Sequence, residues 1–178
     1  MREKMKTIQE KIVEAYANND LELLEDIFVR KKIADPLLVT DMEKWNYLHR
    51  SLLYFHPSVD IIELFIKLGI DVNAQDIYGM TPLHYAMQGK NVDAAIALLN
   101  AGADPNIPNI DSLTPLSLIG YLPDSLDVLE LMLEKGANVN YLVNEGETIL
   151  ESYKPNKDEA HLLPIYNLMK KYKDRNKL

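Results

Sequence analysis

A five-residue motif recurs at a nearly fixed interval and limits what this 178-residue chain can fold into. The motif reads Gly-x-Asp/Asn-x-Asn, and its copies begin at Gly69, Gly102 and Gly136, which are 33 and 34 residues apart. A second motif, Thr-Pro-Leu, begins at Thr81 and Thr114, again 33 residues apart. A period of this length is typical of proteins in which one small unit is repeated and stacked. The sequence therefore predicts a linear array of units.

Local signals within each unit predict two helices. Thr81 and Thr114 can cap a helix, and the proline after each suits the first helical position, where a missing N–H costs nothing. Asn46 offers a similar cap without a proline. Gly102 and Gly136 follow apolar stripes, where a helix commonly ends. The predicted helix pairs are 47–54 with 59–68, 82–88 with 92–101, and 115–121 with 125–135.

The central unit carries the most specific pattern. Residues 76–108 read D-x-x-G-x-T-P-L-H-x-A, then a helical pair, then L-L-x-x-G-A-D-x-N. This resembles the ankyrin repeat. The resemblance implies an all-α solenoid of stacked helix-turn-helix units joined by β-hairpin-like turns. We expect one domain over 1–178, with an N-terminal capping unit and linker at 1–40, repeats at 41–75, 76–108 and 109–142, and a degenerate repeat and C-terminal cap at 143–178.

Composition and charge exclude several classes of function. The absence of cysteine excludes disulfides, iron–sulfur clusters, cysteine-bearing zinc sites and a cysteine nucleophile. The net charge of −8 argues against a nucleic-acid partner, because phosphate binding needs a basic face. The longest run without a charged residue has 13 residues, which is too short to span a membrane. We therefore expect a cytoplasmic protein that is a monomer when free.

The sequence does not predict an enzyme, a metal site or a cofactor. It contains no nucleotide-binding glycine loop, metalloprotease motif or hydrolase nucleophile motif, and its four histidines are not paired at metal-ligand spacing. The resemblance implies that His84, and His49 at the same repeat position, hydrogen-bond between adjacent units. The asparagines that close the five-residue motif are expected to bond turn backbone rather than to be modified.

The resemblance instead implies a partner protein, held on the concave side by the hairpin tips and the first helices. The partner-binding residues carried over to those positions are Trp45, Ile77, Tyr78, Met80, Gln88, Ile110, Asp111, Leu113, Tyr121, Glu145 and Glu147. Tyr78 and Met80 flank Gly79 and are both expected to point outward. Large exposed apolar groups with a charged rim are typical of a binding surface, although some of these side chains could fold back onto a neighbouring unit.

Charge is unevenly distributed along the chain. Residues 76–153 hold 11 acidic and 2 basic side chains, whereas residues 154–178 hold 3 acidic and 7 basic ones. An acidic middle predicts a partner with a basic patch, although solubility explains it equally well. Two function classes stay open: a binding module, conceivably an immunity protein that neutralises a basic bacterial toxin, and an effector or accessory subunit that regulates a host or metabolic enzyme.

Overall fold

The computed structural model describes residues 6–143 and 146–175, and helices dominate this part of the chain. The first unit consists of α1 (Ile8–Asn18) and α2 (Leu21–Glu25), and α2 continues as a π-helical turn over Asp26–Arg30. The Thr7 hydroxyl accepts the Glu10 N–H while the Glu10 carboxylate accepts the Thr7 N–H, so α1 begins with a capping box. Asn19, with a φ of 51°, ends α1 and turns the chain into α2.

Helix pairs follow where the repeat predicts them. They are α3 (Tyr47–Tyr54) with α4 (Val59–Lys67), α5 (Pro82–Gln88) with α6 (Val92–Asn100), and a 3-10 helix (Pro115–Tyr121) with α7 (Leu126–Glu134). The segment 115–121 differs from an α-helix, and two side-chain hydrogen bonds accompany the difference. The Ser117 hydroxyl donates to the Thr114 carbonyl, and the Gly120 N–H donates to the hydroxyl of Tyr153, 33 residues further along the chain.

The chain closes with shorter elements. Strands β1 (Leu142–Val143) and β2 (Glu147–Thr148) form an antiparallel pair with Leu142 opposite Thr148. A short helix α8 (Ile149–Ser152), a 3-10 turn (Ala160–Leu162) and α9 (Leu163–Arg175) follow. Ile165 and Met169 of α9 are fully buried, and α9 packs against α7. That this segment caps the stack stays a prediction, and Pro164 lies in the first turn of its helix.

The helices form two layers. The first helices α3, α5 and 115–121 pack side by side, and the second helices α2, α4, α6, α7 and α9 pack side by side behind them. The leucine that follows each helix start occupies the same place in every unit. These leucines, Leu48, Leu83, Leu116 and Leu150, are at most 5% exposed. Burying this apolar row between units is what stabilises the stack, since no single helix pair could bury its own apolar face. The predicted all-α solenoid is confirmed.

Candidate functional site

The loops that precede the first helices form a row of tips along one edge of the molecule. In the tip 76–81, the Asp76 Oδ1 accepts the N–H groups of Tyr78 and Met80, each at 2.9 Å. Gly79 at the turn has a φ of +70°. In the two neighbouring tips, Lys44 and Ser112 adopt the same left-handed backbone conformation. A carboxylate or amide that bonds backbone two and four residues ahead fixes such a loop without help from its outward side chains.

The tips are joined to one another through backbone. The Ile77 N–H donates to the Glu43 carbonyl at 3.1 Å, and the Ile110 N–H donates to the Tyr78 carbonyl at 3.0 Å. A Cβ added to Gly79 would lie 3.0 Å from the Asn109 Cα, so adjacent tips are in close contact. The row is therefore a continuous surface rather than a set of separate loops.

The structure exposes most of the side chains that the sequence predicts for partner binding. The large apolar ones are Ile77, Tyr78, Ile110 and Tyr121, which are 49%, 50%, 66% and 48% exposed. The polar ones that are exposed are Gln88, Asp111 and Glu147. Leu113 is half-buried and packs against the core. Glu145 lies outside the described residues.

The outward orientation predicted for Met80 is wrong. Met80 is only 6% exposed, and its sulfur accepts a hydrogen bond from the Asn109 amide at 3.3 Å. The bond from its N–H to Asp76 closes the tip and turns the side chain towards the next unit. Met80 therefore packs between tips, and of the two residues that flank Gly79 only Tyr78 faces solvent.

Trp45 is half-buried because it belongs to a polar network. Its indole N–H donates to the Asp76 Oδ2 at 3.1 Å, and the Tyr85 hydroxyl donates to the same oxygen at 2.6 Å. Burial and the Asp76 carboxylate raise the pKa of Tyr85. The carboxylate is thus fully bonded, and it ties the first tip to the second. Trp45 keeps its ring edge-on to Tyr54 with centroids 6.0 Å apart.

The two histidines at equivalent positions bridge neighbouring units. The His84 Nε2 lies 3.0 Å from the Leu113 carbonyl and its Nδ1 accepts the Thr81 N–H; the His49 Nε2 lies 3.1 Å from the Met80 carbonyl. A ring that accepts at Nδ1 and donates at Nε2 is neutral. Burial lowers the pKa of His49, and it lowers that of His84 to about 4. The expected structural role is confirmed for both.

Asparagine side chains provide a second bridge between units. The Asn73 amide donates to the Gly102 carbonyl at 3.1 Å and its oxygen accepts the Asp104 N–H at 2.8 Å. Asn106 repeats this arrangement with the carbonyl of Gly136 and the N–H of Asn138. The expectation that these amides bond turn backbone is confirmed for Asn73 and Asn106. Each of them fastens its own turn to the next.

An apolar groove, which the sequence did not predict, lies at the N-terminal end of the row of first helices. It encloses about 630 Å³ between α1, α3 and the chain at 38–45. Its lining residues are Gln9, Val13, Tyr16, Leu38, Thr40, Glu43, Trp45, Arg50, Tyr54 and Phe55. Tyr54 is 64% exposed, so a large aromatic side chain faces solvent at its rim. Of these residues only Trp45 belongs to the predicted set.

The acidic residues of the middle segment do not all lie at the tips. Asp111 and Glu147 are exposed among the tips, whereas Asp93, Asp127, Glu130 and Glu134 are exposed on α6 and α7 in the second helix layer. Asp76 is buried. The acidity read from the sequence is therefore only partly available at the tips.

In the described residues, no group of three or more histidine, cysteine or acidic side chains could hold a metal ion. No described helix is both long and apolar enough to cross a membrane.

A family model of ankyrin repeats, in three copies, matches residues 12–109, which is more than half of the chain. The chain belongs to the ankyrin-repeat family. Ankyrin repeats generally mediate protein–protein interactions and are typically non-enzymatic. The bridging histidines, the stacked tips and the two helix layers are the physical basis of this membership.

Several ankyrin proteins are similar to this one over part of their length. An ankyrin repeat protein of fowlpox virus is 40% identical over 106 residues, which cover 54% of this chain and 15% of the viral protein. One from Acanthamoeba polyphaga mimivirus is 31% identical over 124 residues, covering 70% of this chain and 15% of its own. Mouse protein phosphatase 1 regulatory subunit 27 is 34% identical over 93 residues, covering 52% and 56% respectively. The chain thus spans only a fraction of the first two relatives and about half of the third.

Proposed function

We propose that this protein is a non-enzymatic module that binds a partner protein along its row of tips and the adjoining first helices. The observation that carries the proposal is the exposure of large apolar side chains, Ile77, Tyr78 and Ile110, on successive tips whose backbone N–H groups are already hydrogen-bonded. About half or more of each of these side chains is open to solvent, and burying that apolar surface against a partner is favourable. We infer that the protein acts in the cytoplasm and is monomeric when free.

The charge at the tips favours a partner with a basic patch. Asp111 and Glu147 are exposed beside the apolar side chains and form part of a polar rim. Rim charges act mainly on the rate of association, because they steer an oppositely charged surface before contact. Apolar tip residues should instead govern the rate of dissociation.

The partner's identity separates the two functional hypotheses. If the protein neutralises a toxin, its partner is a basic secreted toxin and co-expression restores growth of cells that make the toxin. If it is an effector or accessory subunit, its partner is an enzyme whose activity changes on binding. A similar mouse protein is named as a regulatory subunit of a phosphatase, which supports the second role by analogy alone.

The experiment begins with affinity capture from the native cell and identification of the partner by mass spectrometry. Surface plasmon resonance then compares Tyr78→Ala with Leu163→Ala, because Leu163 is exposed to a similar extent on α9, away from the tips. Tyr78→Ala should weaken binding by about 2 kcal/mol, mostly through faster dissociation, and Leu163→Ala should not. Equal effects, or none from Tyr78→Ala, would contradict the proposal.

A matched pair of charge reversals tests the steering. Asp111→Lys changes a tip, whereas Asp127→Lys makes the same change on α7 in the second helix layer. The tip variant should slow association and flatten its dependence on salt, and the α7 variant should change both by much less. If the α7 variant has the larger effect, the binding surface is the opposite face of the molecule.

A further inference from the structure

The groove beside α1 and α3 leaves apolar side chains uncovered. Val13, Leu38 and Tyr54, which contribute to its walls, are 41%, 48% and 64% exposed. All three lie outside the buried core, which Tyr16 and its aromatic neighbours form below them. Its volume of about 630 Å³ is of the size that holds several large side chains.

Arg50 supplies the positive charge of this groove. Its Nη1 donates to the Gln9 oxygen at 2.9 Å, and its guanidinium carbon lies 5.5 Å from the centre of the Tyr47 ring. These contacts fix the side chain, yet none of the ion pairs in the described part of the chain includes it. An oriented guanidinium with unused N–H groups is suited to a carboxylate, which it can bind through two parallel hydrogen bonds.

The groove also adjoins the row of tips. Glu43 and Trp45 line it, the Glu43 carbonyl accepts the Ile77 N–H of the next tip, and the Trp45 indole bonds the Asp76 carboxylate there. An occupant that leaves the groove at this end therefore meets the exposed side chains of the tips. This continuity favours a polypeptide over a small molecule.

We propose that the groove binds an apolar segment of the partner protein that carries a carboxylate opposite Arg50. The inference rests on the proposed function and gives the partner two features: a basic patch that faces Asp111 and Glu147, and a separate segment in which an aspartate or glutamate stands among large apolar residues. The apolar side chains of this segment would cover Val13, Leu38 and Tyr54. Its carboxylate would accept hydrogen bonds from the unused N–H groups of Arg50.

Peptide selection tests this without knowledge of the partner. Random 12-residue peptides that lack tryptophan are displayed on phage and selected on the wild-type protein and on Arg50→Glu. We expect wild-type selections to enrich peptides with at least two large apolar residues and an aspartate or glutamate. Selections on Arg50→Glu should replace that acid by lysine or arginine, because the charge opposite it has been reversed.

Binding is then measured by fluorescence, because Trp45 is the only tryptophan in the chain and lines the groove. A synthetic selected peptide should change its emission on titration. Tyr54→Ser should weaken the peptide at least tenfold, whereas Leu163→Ser, which alters an exposed apolar side chain on α9 outside both the groove and the tips, should leave the affinity within twofold. Thermal melts of both variants should match the wild type, which excludes unfolding as the cause.

Several results would overturn the inference. They are the absence of any enriched peptide, peptides with no acid or with the same charge preference on Arg50→Glu, and peptides whose binding is lost with the tip substitution Ile110→Ser but kept with Tyr54→Ser. The last of these would leave the proposed function standing, because the tips would still bind. A concentration-dependent dimer in sedimentation that Tyr54→Ser abolishes would assign the groove to a second copy of the chain. Conversely, groove peptides that bind as expected while tip variants leave the native partner unaffected would support this inference and contradict the proposed function.

Discussion

Replacing Asn106 by alanine should loosen the junction between the second and third copies of the five-residue motif. Its side chain makes two hydrogen bonds to the next turn, to the Gly136 carbonyl at 3.1 Å and from the Asn138 N–H at 2.7 Å. A neutral hydrogen bond contributes about 0.5–1.5 kcal/mol net, so the pair is worth about 1–3 kcal/mol. Water can reach this exposed turn and partly replace the lost bonds. We therefore expect Asn106→Ala to lower the free energy of unfolding by about 1–2 kcal/mol.

The chain provides a matched control for this substitution. Asn140 closes the next copy of the motif, but its side chain makes no hydrogen bond to another turn in the described residues. Asn140→Ala removes the same atoms from the same position and should cost less than about 0.5 kcal/mol. Urea denaturation followed by circular dichroism measures both. Because Asn106 joins two units, its loss should also broaden the transition as the C-terminal units begin to unfold separately.

Two outcomes would refute this reasoning. Equal losses from Asn106→Ala and Asn140→Ala would mean that the asparagines act within their own turns and not between units. An unchanged stability of Asn106→Ala would mean that the two bonds are fully replaced by water. Either result would mean that the buried leucines and histidines, rather than the asparagines, couple neighbouring units.

Three further predictions concern stability, and urea denaturation measures each. The His84 pKa of about 4 lies below the value near 6.5 of an unfolded histidine, so the unfolded state takes up the proton first. The contribution of His84 to the free energy of unfolding is complete above pH 6.5, and up to about 3 kcal/mol of it is lost as the pH falls towards 4. His84→Ala should lower the free energy of unfolding at pH 7 by about 1–3 kcal/mol and flatten this pH dependence. The Tyr16 hydroxyl is buried without a partner among the described residues, whereas the Tyr153 hydroxyl makes two hydrogen bonds. Tyr16→Phe should therefore raise stability by about 1 kcal/mol, and Tyr153→Phe should lower it by about 1–2 kcal/mol; the opposite order would contradict the assignment. Gly79→Ala should cost more than Gly69→Ala, since both residues have positive φ but only at Gly79 would the new Cβ press on backbone of the next tip; equal costs would show that the tips can separate freely.

The helices were predictable because their signals are local. A cap, a proline at the first position and a terminal glycine are set by residues only a few positions apart, and Pro82–Gln88 begins and ends as predicted. The 3-10 form of Pro115–Tyr121 was not predictable, since it depends on a hydrogen bond from Gly120 to Tyr153, which is 33 residues further along. The direction of Met80 likewise follows from how Asp76 closes its tip.

The candidate site was predictable in part. Tyr78, Ile110 and Asp111 occupy positions that the repeat assigns to the tips, and all are exposed. The groove was not predictable from the sequence. One of its walls is the first unit, which lacks the repeat motif, and another is the chain around Leu38. A long exposed aromatic at the end of a helix, Tyr54, was the one available signal. From the spacing of apolar residues along the helix alone, Tyr54 could not be distinguished from a residue that packs on a neighbouring unit.

The stacking of the tips through main-chain atoms has an evolutionary consequence. Ile77 and Ile110 enter the row by their N–H groups, which every residue except proline possesses, so selection for folding scarcely restricts their side chains. Mutations at 77, 78, 110 and 111 can then accumulate and alter partner choice at little cost in stability. The chain is accordingly well suited to rapid divergence against a changing target, and a library randomised at these four positions should yield mostly folded proteins.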